Sequence, residues 1–140
     1  MNNDAPPGQP ASRLPPQGGL SATEKLAEAR AERAEAQLAQ ANHLLQTIIN
    51  AMPVRVFWKD RNLRYLGCNA LFAHDAGKAG PEEVLGKEDF QLGWTDQAEL
   101  YRADDRQVLS SVTGKYAYEE PQTTPDGRTI WLRTSKVPVR

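Results

Sequence analysis

The aromatic residues are confined to one part of the chain, and this limits where a folded core can form. All ten Phe, Trp and Tyr residues of the 140-residue sequence follow position 52. Residues 1–20 instead hold five of the ten prolines and no aromatic residue. Such a segment cannot bury enough apolar surface to offset the entropy lost on ordering. We therefore expect a disordered Pro/Gly-rich tail over residues 1–20 and one small domain over residues 53–140.

The segment between the tail and the domain has the composition of a single long helix. Residues 21–52 contain neither Gly nor Pro and are rich in Ala, Leu, Gln and Glu. Ser21 and Glu24 have the spacing of a capping box at the start, and Pro53 stops the helix. Apolar residues recur at alternating spacings of three and four, as in a coiled-coil seam: Leu38, Ala41, Leu45, Ile48 and Met52. We expect a parallel homodimer through this seam. Packing of the helix on its own domain is the alternative, and both can hold if Leu44 and Ile49 contact the domain while the seam contacts a partner.

The remaining residues alternate between strand and helix patterns. Residues 54–59 with 63–68 predict a first β-hairpin, and residues 116–120 with 129–139 predict a second one across a Pro-Asp-Gly turn. Short helical segments at 69–74 and 81–86 lie between them, followed by a longer helix from residue 96 to Gly114. The apolar face of the longer helix is expected to carry Ala98, Tyr101, Val108, Leu109 and Val112. This order predicts an α+β fold, with an antiparallel sheet and short helices on one face.

Charge and cysteine usage exclude several classes of protein. The 17 basic and 18 acidic residues leave a net charge of -1, so nothing favours a nucleic-acid partner. The single cysteine, Cys68, excludes an internal disulfide. No apolar run approaches the roughly 20 residues needed to span a membrane, and the N-terminus has no signal-peptide core. We therefore expect a cytoplasmic protein.

The titratable residues show no catalytic or metal-binding pattern. His43 and His74 have no partner at metal-ligand spacing, so no metal site is predicted. The neighbouring acids Glu119–Glu120 and Asp104–Asp105 are interpreted as solvated surface groups. Asp105 alone falls on an apolar helix stripe, where it is a candidate polar anchor for a ligand, although a structural bond to the late strands is favoured. We expect that this chain is not an enzyme.

Three segments together resemble a known family. Val56–Asp60, a short turn and Arg64–Asn69 resemble the start of a PAS domain, Val84–Phe90 resembles its mid-domain helix and loop, and Pro125–Leu132 resembles its late hairpin. The resemblance covers residues 45–140. It implies a sensory or dimerising module that coiled-coil helices connect to a kinase, a cyclase or a transcription factor.

The resemblance to PAS domains and the predicted coiled-coil helix indicate the same function. We expect a PAS-type sensory and dimerisation module of a cytoplasmic signal-transduction protein, which relays a ligand or conformational signal through the helix to an output domain not present in this chain. The resemblance implies a histidine kinase of a two-component system or a diguanylate cyclase as that output. The alternative is a purely structural homodimerisation module that binds no ligand.

Cofactors of similar proteins can be compared residue by residue. Haem-binding PAS domains use a histidine on the long helix, and residues 97–112 contain none. Flavin-binding photosensors use a reactive cysteine in an Asn-Cys-Arg-Phe context, whereas Cys68 precedes Asn69 in reverse order. We therefore expect neither cofactor and a buried, inert thiol. An unidentified small ligand stays open, with a pocket lined by aromatic residues that otherwise serve as core: Trp58, Tyr65, Phe90, Trp94, Tyr101 and Trp131.

The strand count also bears on the domain boundary. The resemblance implies five antiparallel strands, the last lying between the first and the fourth, and the sequence predicts four. We therefore expect the domain over residues 53–140 to be incomplete at its C-terminus.

Overall fold

A computed structural model describes Gly8 and residues 18–140 of the chain. Residues 18–20 have no regular secondary structure, and the other positions of the predicted tail lie outside the described residues. The described residues divide into two units between Ala41 and Asn42, and the second unit contains every strand and short helix described below. The predicted boundary between residues 52 and 53 stays a prediction.

Helix α1 covers Ala22–Ala51 and begins as the sequence predicts. The backbone N–H of Ser21 donates to Glu24 Oε2 at 2.9 Å, and the N–H of Glu24 donates to Ser21 Oγ at 3.2 Å. This reciprocal capping box satisfies two helix donors that otherwise lack partners. The helix ends at Ala51, so Met52 lies just beyond it, and none of its residues is fully buried.

The first hairpin consists of β1 (Phe57–Lys59) and β2 (Tyr65–Cys68), paired antiparallel with Phe57 opposite Cys68. Asp60 closes the turn, where its side chain accepts from the N–H groups of Asn62 and Arg64. Strand β1 is shorter than the predicted 54–59. Just before it, Val56 N–H donates to the side chain of Asn69 at 3.1 Å, and the Val56 carbonyl accepts from Asn69 N–H at 2.9 Å.

Two α-helices and three single-turn 3₁₀ helices connect the hairpins. Helix α2 is Ala70–Asp75, the 3₁₀ turns are Pro81–Glu83, Asp89–Gln91 and Thr95–Gln97, and helix α3 is Ala98–Ser111.

The buried face of α3 differs from the predicted one. It carries Ala98, Tyr101, Asp104, Asp105 and Val108, whereas Leu109 and Val112 are exposed. Val112 takes a left-handed conformation with φ 52°, so the helix ends there, ahead of Gly114. The predicted helix end and the last turn of the predicted face are therefore wrong.

The second hairpin consists of β3 (Lys115–Thr123) and β4 (Thr129–Lys136), paired antiparallel with Glu120 opposite Leu132. Its turn is the predicted Pro-Asp-Gly segment, in which Gly127 takes a φ of 82° that favours glycine. Within the described residues, the two hairpins form two separate two-stranded sheets. The fold class is α+β with antiparallel strand pairs and a long preceding helix, as predicted.

The apolar core lies beneath the first hairpin. Its buried members come from β2, α2, α3 and the residues adjoining α2 and the 3₁₀ turns, with Phe57 of β1 packed against them: Tyr65, Cys68, Phe72, Ala73, Ala76, Val84, Leu92, Trp94 and Tyr101. The inner face of the second hairpin contributes polar side chains instead, among them Glu120, Gln122 and Lys136. The two sheets thus face the interior with different chemistry.

Candidate functional site

A cavity of about 320 Å³ lies between the two hairpins. One wall is aromatic and is formed by the first hairpin and the helices behind it: Phe57, Tyr65, Phe72, Trp94 and Tyr101. Neighbouring rings in this wall meet at tilted or edge-on angles, with centroids 4.9 to 6.3 Å apart. Rings packed in this way favour one arrangement over others, so the aromatic wall has a defined shape.

The other wall is polar and comes from the second hairpin. Glu120 and Gln122 of β3 lie on the same face of that strand, and Thr134 and Lys136 of β4 line the same cavity. All six residues from Trp131 to Lys136 line the cavity. Since neighbouring side chains of a strand point to opposite faces, contact with six consecutive residues means that the cavity runs along the edge of β4.

Four of the six aromatic residues proposed from the sequence line this cavity: Tyr65, Trp94, Tyr101 and Trp131. Trp58 and Phe90 do not, which departs from the prediction. Trp58 lies between Phe57 and Lys59 in β1 and points to the opposite face, where its ring covers Gly67 at a position that leaves no space for a Cβ. Phe90 is exposed, with the guanidinium of Arg102 5.4 Å from its ring centre.

Asp89 is a fully buried carboxylate at the base of the aromatic wall. Its Oδ1 accepts from the Tyr65 hydroxyl at 2.5 Å and from Trp94 Nε1 at 3.0 Å, and its Oδ2 accepts from Lys59 Nζ at 2.6 Å. Burial, and then the charge of Asp89, raise the pKa of Tyr65 well above its ordinary value. The tyrosine therefore stays protonated and keeps donating to Asp89.

Asp105 of α3 joins the two hairpins through ion pairs. Its Oδ2 lies 2.5 Å from Lys59 Nζ of β1, and its Oδ1 lies 2.7 Å from Lys136 Nζ of β4. The favoured interpretation from the sequence, a bond to the late strands, agrees with the contact to Lys136. Asp105 itself is not among the residues that line the cavity, whereas both lysines are.

Of the four paired acids, Glu119 alone is the solvated group that the sequence predicted. Asp104 and Asp105 are both buried, and Asp104 pairs with Lys115 at 2.7 Å. Glu120 is buried as well, while its neighbour Glu119 is exposed on the other face of β3. The error arose because the spacing of charges along the chain does not show that lysines from distant strands approach the same helix.

Among the described paired acids, Glu120 is the one with a buried oxygen that lacks a hydrogen-bond partner. Its Oε1 accepts from the Thr134 hydroxyl at 2.8 Å, while its Oε2 is buried and has no hydrogen-bond partner among the described residues. Burial raises the pKa of this carboxyl above its ordinary value. The hydrogen bond from Thr134 and the charge of Lys136 act in the opposite direction and lower the pKa. An unpartnered buried oxygen on a cavity wall is a candidate contact for a bound molecule.

Asn69 connects the cavity wall to the end of helix α1. Its Nδ2 donates to the carbonyl oxygens of Ile49 at 2.9 Å and Val54 at 2.7 Å. Its Oδ1 accepts from the N–H groups of Val56 and Phe72, the latter as the N-cap of α2. Val54 and Phe72 both line the cavity. One buried side chain thus touches α1, the segment leading into β1, and α2.

Several of these residues were missed in the sequence, although two left a signal there. Lys59 has the same strand parity as Phe57, so it faces inward with it. Asn69, which follows a strand pattern and precedes a helix, has the position of an N-cap. Asp89, Glu120 and Lys136 left no such signal, because their partners are distant in sequence.

The seam residues proposed from the sequence have large exposed fractions. Leu38, Leu45, Ile48 and Met52 are between 41% and 63% exposed, and Ala41 is exposed as well. Ile49, by contrast, is half-buried. The seam therefore presents an uncovered apolar stripe, and dimerisation through it stays a prediction.

Cys68 is fully buried within the core, and burial raises the pKa of its thiol to about 11. Among residues 18–140, no three His, Cys, Asp or Glu side chains are arranged to hold a metal ion. No helix in the described part of the chain is long and apolar enough to cross a membrane.

Comparison with known proteins gives one match. A family model described as PAS fold matches residues 49–140, which is more than half of the chain. Neither the curated proteins nor the solved structures contain a match to this sequence.

Proposed function

The chain belongs to the PAS fold family, and from this premise we propose that it is a ligand-sensing and dimerising module whose helix α1 transmits the response to an output domain. The fold supports a sensory or signalling module in general, and PAS domains are generally sensory and non-catalytic. The finer proposal adds a cytoplasmic location and an output domain of the histidine kinase or diguanylate cyclase type. The observation that carries it is the hydrogen bonding of Asn69 to helix α1 and to the cavity wall.

The path from cavity to helix is short. Pro53, Val54 and Arg55 line the cavity and lie directly between the end of α1 and β1. Asn69 ties Val54 to Ile49 of α1, and the side chain of Asn50 accepts from the N–H of Ala70 at 2.8 Å. A ligand that displaces residues 53–55 therefore strains bonds that hold the last turn of α1. A small displacement in the cavity becomes a change in helix pose.

The exposed seam supports the dimer part of the proposal. An apolar stripe at heptad spacing is stabilised when a second helix covers it. A parallel pair of α1 helices would bring two domains together. Any movement of α1 would then change the arrangement of the two copies relative to each other.

The proposal includes no haem and no flavin, because the residues present do not fit either group. No histidine is found among the described residues that line the cavity. Cys68 does not line the cavity either, and its raised pKa disfavours the reactive thiolate. The purified protein is expected to absorb no light beyond the band of its aromatic side chains.

The relay is tested by measuring how firmly α1 is held. Spin labels on Gln46→Cys and Arg61→Cys report the distance between α1 and the first hairpin, and the buried native Cys68 stays unlabelled. Asn69→Ala is expected to broaden the distance distribution in double electron–electron resonance. The matched control, Asn62→Ala in the exposed turn, is expected to leave it narrow. Equal distributions in the two variants would contradict the relay.

The dimer is tested by placing charges on the seam. Leu45→Lys with Ile48→Lys is expected to convert dimers to monomers in sedimentation, while the far-ultraviolet circular dichroism of the domain is largely retained. The control, His43→Lys with Gln46→Lys, has the same spacing on a different face of the helix. Unchanged dimer mass in the seam variant would rule out the coiled coil.

The rival function is a structural homodimerisation module that binds no ligand. It is favoured by the same exposed seam and needs no cavity. Native mass spectrometry separates the two. A co-purifying small molecule supports sensing, and an apo mass together with an unresponsive α1 supports the rival.

A further inference from the structure

We propose that the cavity selects small, planar aromatic molecules bearing an N–H group that donates a hydrogen bond to Glu120 Oε2. This inference rests on the proposed sensing function and names the chemical class of ligand for the same cavity. Three properties of the site carry it: the incomplete hydrogen bonding of Glu120, the aromatic opposite wall, and the balance of buried charge.

Glu120 is positioned as a hydrogen-bond acceptor for a guest molecule. The residue is only 6% exposed and lines the cavity. Thr134 occupies Oε1, whereas Oε2 is buried without a partner among the described residues. A buried polar atom left unpaired costs free energy, and a ligand that pairs with it recovers that cost on binding. A ligand presenting only acceptor atoms would meet a second acceptor here.

The opposite wall fits a flat apolar framework. Phe57, Phe72 and Trp94 line the cavity on this side. A volume of about 320 Å³ lies at the lower end of the range for small-molecule sites. A bicyclic aromatic molecule places its faces and edges against these rings while its N–H reaches the polar wall.

The buried charges disfavour an anion. Lys59 and Lys136 are held by Asp89 and Asp105, which leaves the carboxyl of Glu120 without a cation of its own. Arg55 is paired with Asp75, and Arg133 is exposed to solvent. Arg55 and Arg133 both line the cavity, but both are exposed to solvent, where salt screens their charges, so they do little to hold an anion inside.

The experiment compares two molecules that differ in the donor. Indole carries an N–H, and benzothiophene has nearly the same shape with a sulfur in its place. Their dissociation constants for the full chain are measured by chemical-shift titration. Wild-type protein is expected to bind indole about tenfold more tightly than benzothiophene, the ratio that one hydrogen bond to a carboxylate provides.

Two variants assign the preference to Glu120. Glu120→Met removes the acceptor. Glu120→Gln keeps the shape and the bond from Thr134, and places an amide N–H where Oε2 lay. Both are expected to bring the ratio close to one. The control, Glu119→Gln on the exposed face of the same strand, is expected to keep the ratio.

The outcomes separate this inference from the sensing function. Equal binding of the two probes by the wild-type protein would show that water or solvent suffices for Oε2, and would overturn the donor selectivity while leaving a ligand cavity in place. A tenfold ratio retained in Glu120→Gln and Glu120→Met would also overturn it. Binding of neither probe would overturn it as well, and the spin-label distances of α1 would then decide the sensing function independently.

Discussion

One buried carboxylate lies behind the aromatic wall of the cavity and another lies in the polar wall, and the two differ in how many hydrogen bonds they accept. Asp89, beneath the first hairpin, accepts from Tyr65, Trp94 and Lys59. Glu120, on the second hairpin, accepts from Thr134 alone and leaves Oε2 unpaired. A fully paired buried carboxylate fixes its surroundings, whereas a partly paired one lowers stability. Asp89 is therefore expected to stabilise the fold, and Glu120 is expected to lower its stability as long as Oε2 stays unpaired.

The largest effect on stability is expected at Asp89, because three donors bind to its carboxylate. Asp89→Ala leaves Tyr65 and Trp94 without their acceptor and Lys59 with a single carboxylate. The free energy of unfolding is expected to fall by about 3–5 kcal/mol, as for other broken buried pairs. Urea unfolding followed by tryptophan fluorescence measures it. Asp96→Ala, at an exposed position, is the control and should leave the midpoint nearly unchanged; an equal loss in both variants would contradict the role given to Asp89.

A smaller loss of stability is expected when one of the three donors to Asp89 is removed. Tyr65→Phe deletes the hydroxyl and leaves Asp89 bound to Lys59 and Trp94. The free energy of unfolding is expected to fall by about 2 kcal/mol, the range for a hydrogen bond to a charged group. Tyr116, which is 68% exposed, provides the matched Tyr116→Phe control. If the control were equally destabilised, the Asp89 network would not be the cause.

In the polar wall, a substitution is expected to raise the free energy of unfolding rather than lower it. Glu120→Gln is expected to raise the free energy of unfolding at neutral pH by about 1 kcal/mol, because a neutral amide is less costly to bury than an ionised carboxylate. Since the native pKa of Glu120 is raised, the native state keeps a proton that the unfolded state has lost. Stability therefore falls as the pH rises from 4.5 toward the native pKa. The variant should flatten that fall in thermal melts, and Glu119→Gln should not.

The smallest effect on stability is expected at Trp131. This side chain lines the cavity but is 69% exposed. Trp131→Ala is therefore expected to change the free energy of unfolding by no more than about 0.5 kcal/mol. The matched change in the first wall, Trp94→Ala, is expected to cost about 3–5 kcal/mol. Similar losses of stability in Trp131→Ala and Trp94→Ala would contradict the difference in stability proposed for the two walls.

Local patterns predicted much of the fold. The capping box at Ser21 and Glu24, the two hairpins, and the Pro-Asp-Gly turn depend on residues close together in sequence, and all appear in the structure. The end of α3 was missed because Val112 adopts a left-handed conformation that its β-branched side chain disfavours. Gly114 was the better candidate on local grounds alone.

The candidate site was predicted only in part, for the same physical reason. Aromatic residues identify themselves as core or pocket wall by type, so Tyr65, Trp94 and Tyr101 were found. Strand parity would have placed Trp58 on the outer face and Lys59 on the inner one. The burial of Asp89, Asp105 and Glu120 follows from lysines and hydroxyls up to 46 residues away in the chain, which no local pattern contains.

The sequence by itself determined the elements of this protein, because helix capping, apolar periodicity and turn residues act over a few positions. It also determined the family, through an ordered set of such segments over residues 49–140. Only the tertiary structure decided which charges are buried and which carboxylate is left with an unpaired oxygen. Those properties depend on how Lys59 of β1 and Thr134 and Lys136 of β4 are brought to the interior. A buried group is costly or stabilising according to the partners that packing supplies.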